Sequence, residues 1–186
     1  MTRRCRNCCR LLMAALGLTA AMRHDAPRAA EPDPKPSQAA AQAERPLATR
    51  AEAGRQAAIL HDAMHATLQV VHHRLYREDE GLPLPAAALK EVFAEIEQEQ
   101  QIKLRWLAVD GTAMNEDHKP RNAFERAAFD ALKRGQSAFE QAENGVYRRA
   151  GPITLRNHCL KCHVPDRMST ENRTAGLIIE IPVRRD

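Results

Sequence analysis

Aromatic residues are scarce in this chain, 4% of its 186 residues, and none are interleaved with a run of Lys and Arg. That excludes the basic stripe with stacking rings by which many proteins grip nucleic acid. A sustained excess of one charge is missing too, although the formal net charge is +4. Six of the 28 basic residues, Arg3, Arg4, Arg6, Arg10, Arg23 and Arg28, lie in the first thirty positions. They are opposed there by one of the 24 acidic residues, Asp25, which leaves 22 against 23 from Glu31 onward. No apolar run beyond residue 22 is long enough to cross a bilayer, so no membrane span is expected in the mature chain. Cysteine is absent between Cys9 and Cys159.

What is present at the start reads as an export signal. Basic residues from Arg3 to Arg10 run into the apolar block Leu11 to Met22, which ends in small residues. Cleavage after Ala21 or after Ala30 fits this pattern, so residues 1–30 are assigned to the signal and the protein is expected to be periplasmic or otherwise exported. Cys5, Cys8 and Cys9 precede the apolar block, whereas a lipid-modified cysteine would follow it. Residues 31–47, rich in Ala, Pro and Gln without an apolar period, read as a flexible linker. Residues 48–186 have the size of one domain.

Within that domain the apolar spacing of Ala57, Leu60, Met64, Leu68, Val71 and Leu75 predicts a long helix from Ala48 to about Arg77. A second helix is predicted from Pro85 to Glu99, with Leu89, Val92, Phe93 and Ile96 inward. Ile102, Leu104, Trp106 and Ala108 alternate as a strand, and Asn122 caps a third helix closed by Gly135. Strands around 138–142 and 146–150 flank the turn Glu143-Asn144-Gly145. A last strand spans 175–183. The sum is an α+β domain: a long N-terminal helix, then an antiparallel sheet with flanking helices and a loop carrying the remaining cysteines between its last strands.

Those cysteines form the run Cys159-Leu160-Lys161-Cys162-His163, the C-x-x-C-H signature of covalent haem attachment. Two thiols three residues apart can each form a thioether to a vinyl group of one haem c, and the adjacent His163 imidazole can reach its iron. A redox dithiol would instead want its C-x-x-C at a helix start after a strand in a βαβ unit. Zinc would have to close a tetrahedron on the near neighbours His158, Cys159, Cys162 and His163. Export agrees with haem attachment, because c-type haem is attached outside the bacterial cytoplasm.

A sixth iron ligand is sought among His61, His65, His72 and His73 of the first helix. At about 100° per residue, His61, His65, Leu68 and His72 fall within one narrow arc. Met168 and Met114 are alternatives, and Met64 reads as core packing. Arg105, Arg148, Arg149 and Tyr147 are candidates to hold the haem propionates, since a guanidinium suits a carboxylate.

Four segments together resemble the exported c-haem domains with a PAS-like fold, long known as a domain of unknown function. They are Thr67–His72, Arg105–Val109, Gly145–Gly151 and Asn157–His163, within a resemblance that spans about 66–183. The resemblance implies a haem between the sheet and the early helix, His163 as proximal ligand and a distal ligand from the first helix. Some members place a cysteine there; this chain has none in that helix, which points to His72. The function so implied is a monohaem cytochrome-like protein that exchanges single electrons with a redox partner, or senses redox state or a diatomic gas, rather than an enzyme. A haem peroxidase, with an open sixth position and a distal acid-base histidine, is the alternative. So is a partner-binding module with a structural haem.

Overall fold

A computed structural model describes residues 46–111, 113, 115–163 and 168–185. The assigned signal, most of the linker and Met114 lie outside these residues, as do the side chains of Glu78, Lys161, Cys162 and His163. The described residues belong to one compact unit, 36–186. None of their helices is long and apolar enough to cross a membrane.

The first helix of the described residues is α1 (Arg50–Arg74), entered through a capping box. The Thr49 hydroxyl accepts the Glu52 N–H at 3.2 Å and the Glu52 carboxylate accepts the Thr49 N–H at 2.7 Å, which satisfies two donors that the first turn would otherwise leave open. Helix α2 (Pro85–Gln100) starts on a proline, whose missing N–H costs nothing at that position. Strand β1 (Lys103–Ala108), helix α3 (Ala123–Lys133), strands β2 (Phe139–Glu143) and β3 (Val146–Leu155), helix α4 (Asn157–His163) and strand β4 (Arg173–Pro182) follow. Asn122 caps α3 as expected, accepting the Glu125 N–H at 2.9 Å. Asn144 and Gly145, at φ 54° and 77°, make the tight turn between β2 and β3.

The four strands form one antiparallel sheet in the order β1-β4-β3-β2. The architecture is therefore the expected α+β one, and both faces of the sheet are covered. On one face Leu177, Ile179 and Ile181 of β4 pack with Ala53, Ala57 and Leu68 of α1, Phe93 of α2 and Trp106. Ile178 points the other way, into Phe124, Ala128 and Leu132 of α3. Double coverage explains why β4 is apolar almost without a break.

The structure departs from the sequence reading in four places. Leu75 caps α1 rather than extending its apolar stripe and is 65% exposed, and α2 buries Phe93 while Val92 is 39% exposed. Strand β3 runs past Gly151-Pro152 to Leu155 and pairs with β4 along its whole length. The Cys-His run lies in the short helix α4, not in a loop.

The extension of β3 has a physical basis. Strand β2 begins at Phe139, opposite Ala150, so from Gly151 onward the outer edge of β3 has no strand beside it. Proline is tolerated on such an edge because no neighbour requires its N–H. Side chains of α1 complete the edge instead. His61 Nε2 lies 3.2 Å from the Pro152 carbonyl oxygen, the Thr154 N–H donates to His65 Nε2 at 3.4 Å, and Gln69 donates to the Thr154 carbonyl at 2.8 Å. These residues recur every four positions, which puts them on one face of α1 in register with alternate residues of β3.

Close approach is possible because Gly151 lacks a side chain: a Cβ there would lie 2.4 Å from the His61 ring. Gly151→Ala should destabilise the fold by about 1–3 kcal/mol, the usual range for overpacking. In the His61→Ala background the same change should cost far less. Urea denaturation of the four proteins in this cycle checks both outcomes.

Candidate functional site

Helix α4 begins where β3 ends. The Arg156 carbonyl accepts the N–H groups of Cys159 at 2.7 Å and Leu160 at 3.3 Å, which starts the helix immediately after Leu155. Helical spacing puts positions 159, 162 and 163 on one side of it. Although the C-x-x-C thus follows a strand, β3 and β4 are antiparallel, so the βαβ unit of a redox dithiol is not formed. The Cys159 side chain is 7% exposed and packs with Leu155, Leu160 and Ala175, an apolar wall in which a thioether sulfur would be at home.

The next contact brings α4 to the end of α1. The His158 ring lies 4.8 Å from that of His72 and 5.8 Å from that of His73, centroid to centroid, and Tyr76 stands 5.2 Å from His72. Buried atoms left without a hydrogen bond among the described residues include His72 Nδ1, His158 Nε2 and Gln69 Oε1. Such atoms are costly in a finished interior, and three of them gathered beside one motif point to a site made for a further group.

Imidazole charge is suppressed at this end of the fold. Burial, then His72, His73 and the Arg156 guanidinium, holds His158 below its ordinary titration range. Burial, His61 and Arg156 do the same for His65, against a smaller opposing pull from Asp62. Both imidazoles are therefore neutral near pH 7, the form in which a ring nitrogen can accept a hydrogen bond or bind a metal.

The four histidines of α1 are separated by their surroundings. His61 is buried, with Nδ1 3.1 Å from Asp62 Oδ1 and Nε2 on the Pro152 carbonyl. His65 uses Nε2 on β3. His73 is exposed at a cleft. His72 alone of the four has a buried nitrogen with no partner among the described residues. Met64 packs against the core, whereas Met168 is 99% exposed.

The residues read as propionate partners are engaged elsewhere. Arg105 makes a two-pronged pair with Glu125, at 3.2 and 2.5 Å, and donates to the carbonyls of Trp106, Asp117 and Lys119. Arg148 pairs with Glu180 at 2.9 Å and Arg149 with Glu140. Tyr147 is buried against Gly54, and burial together with the Glu140 carboxylate pushes its phenol up to about 12. Arg149 stands opposite Ile179 and Leu155 opposite Arg173. Those six residues of strand separate Arg149 from the start of α4 by roughly 20 Å at the rise of a β-strand.

Beside α4, by contrast, a cleft of about 530 Å³ is lined by His65, Gln69, His73, Arg74 and Arg156, with Asp62 at its far end. Its volume lies in the range of small-molecule sites. Arg74 and Arg156 were not singled out from the sequence. The available signal for them was position, next to His73 and at the entry to the motif helix.

Comparison with known proteins bears on the fold and the family. The solved structure of the cyanobacterial heme-protein Tll0287 superimposes with a TM-score of 0.56 at 18% identity, over 75% of this chain and 99% of that one. At that identity the likeness shows a shared fold. No curated protein matches the chain. The model of the Tll0287-like family matches residues 42–178, from just before α1 into β4 and across the whole Cys-His run. The chain therefore belongs to the Tll0287-like family.

Proposed function

We propose that this protein is an exported monohaem c-type protein that carries single electrons. One haem c would be bonded through Cys159 and Cys162, with His163 and His72 on its iron. The observation that carries this reading is the C-x-x-C-H run on α4, set against the end of α1 where His72 keeps a buried nitrogen without a partner among the described residues. Tll0287, which shares the fold, is a heme-protein. The basic and apolar start of the sequence supports export.

The side chains present fit such a group. Cys159 is held in an apolar wall, so its sulfur can be bonded without exposing the link to water. His61 and His65 are occupied in completing β3, which leaves His72 and His73, and of these two His72 has the buried nitrogen without a hydrogen bond among the described residues. His158 packs against His72 and restrains its ring. When bound, haem iron supplies a one-electron couple whose potential depends on its axial ligands and on burial. Ligation by two imidazoles would change little between the two oxidation states, which favours electron transfer with a redox partner protein. The same iron would report redox state, or NO or CO, if the His72 nitrogen gave way to a gas.

The reduced protein should show low-spin bands, and a pyridine haemochrome should have the form given by two thioether links. His72→Ala should convert the spectrum to high-spin and open the iron to CO, while His61→Gln and His65→Gln leave it low-spin. Unchanged bands in His72→Ala would assign the sixth position to another residue. Binding of CO by the wild type at rest would favour sensing over transfer.

The polypeptide without haem, made as Cys159→Ser/Cys162→Ser, should respond to acid. His65 and His158 have folded pKa values lowered from 6.5. Below that pH the unfolded chain binds protons that the folded one refuses, so stability is full above about pH 6.5 and falls as pH drops. Chemical denaturation at pH 7.5, 6 and 5 measures the fall, which His65→Gln should reduce.

A further inference from the structure

The cleft beside α4 brings together two guanidinium groups from different elements. Arg74 ends α1 and Arg156 precedes α4, and both line a depression whose floor is Gln69, His65 and His73. Neither forms an ion pair with a described carboxylate, unlike Arg105, Arg148 and Arg149, whose pairs with Glu125, Glu180 and Glu140 occupy them. Asp62, the carboxylate of the lining, sits at the opposite end, three helical turns from Arg74, roughly 18 Å along the axis. The cleft is therefore positive at its α4 end.

Position decides what anion this suits. Arg156 is three residues before Cys159 and lines the cleft together with His65 and Arg74. A carboxylate-bearing ligand tethered on α4 would have Arg156 at the entry to that helix and Arg74 in the same cleft. A planar guanidinium receives a carboxylate through two parallel hydrogen bonds and stays charged at every working pH.

Resting on the haem reading above, we propose that Arg156 and Arg74 receive the two haem carboxylates, and that Arg156 acts as a positioning residue which sets the reduction potential. A fixed positive charge beside the carboxylates favours the electron-rich, reduced form. It also keeps the carboxylates ionised, so that the potential is independent of pH across the neutral range.

Redox titration of the exported holoprotein from pH 5 to 8 tests this. In Arg156→Gln the midpoint should fall by the equivalent of about a tenfold change in the reduced-to-oxidised ratio, 59 mV for one electron. It should also become pH-dependent, rising as pH falls, because a carboxylate relieved of its partner takes up a proton with the electron. Arg156→Lys, which keeps the charge, should restore most of the midpoint. Arg74→Gln should act in the same direction, and Arg148→Gln should change neither quantity. A coloured Arg156→Gln protein with the wild-type midpoint and pH profile overturns the assignment while leaving the haem reading intact. A shift in Arg148→Gln alone would return the carboxylates to the sheet. A wild type without haem overturns both readings together.

Discussion

Beyond Ala150, β3 has a strand on one side only, and hydrogen bonds from α1 side chains complete its other edge. A buried backbone carbonyl or N–H without a partner costs about as much as a lost hydrogen bond. His61, His65 and Gln69 meet that requirement at Pro152 and Thr154. Their four-residue spacing locks the helix in register with the strand, and the bare Gly151 lets the two backbones close. This seam fixes where the last turn of α1 can lie.

Because α4 leaves β3 directly after the seam, its first turn is placed by the same contacts. His158 meets His72 and His73, Cys159 turns into the small cluster with Leu155 and Leu160, and the cleft opens between Arg74 and Arg156. The double layer of apolar contacts around β4 supports this end without taking part in it. Framework and site thus divide along the chain: the Arg105–Glu125 pair and the Phe124 cluster hold the far side of the sheet, while His72 Nδ1, His158 Nε2 and Gln69 Oε1, without hydrogen bonds among the described residues, lie beside the motif.

Much of this was legible in the sequence, because the signals were local. Asn122 before α3, Asn144-Gly145 in the hairpin and the 3.6-residue period of α1 each act within a few residues of chain. The C-x-x-C-H run is equally local and stood out against a chain otherwise nearly free of cysteine. What escaped reading depends on distant partners. Gly151-Pro152 looks like the end of a strand until one knows that β2 begins only opposite Ala150 and leaves that edge open. His61 and His65 look like candidate ligands until β3 lies beside them, and Arg105 looks available until Glu125, twenty positions later, takes both its prongs. The helical state of α4 was hidden for the same reason: seven residues carry too little pattern to separate one short helix from a loop.

The central claim is the covalent bond between this polypeptide and one haem through Cys159 and Cys162. Intact mass of the protein, secreted by a bacterium able to mature c-type cytochromes and then unfolded in acid, tests it most directly. The account predicts a species heavier than the processed chain by one haem, and loss of that increment when both cysteines are replaced by serine. A colourless protein whose mass is that of bare polypeptide would contradict it.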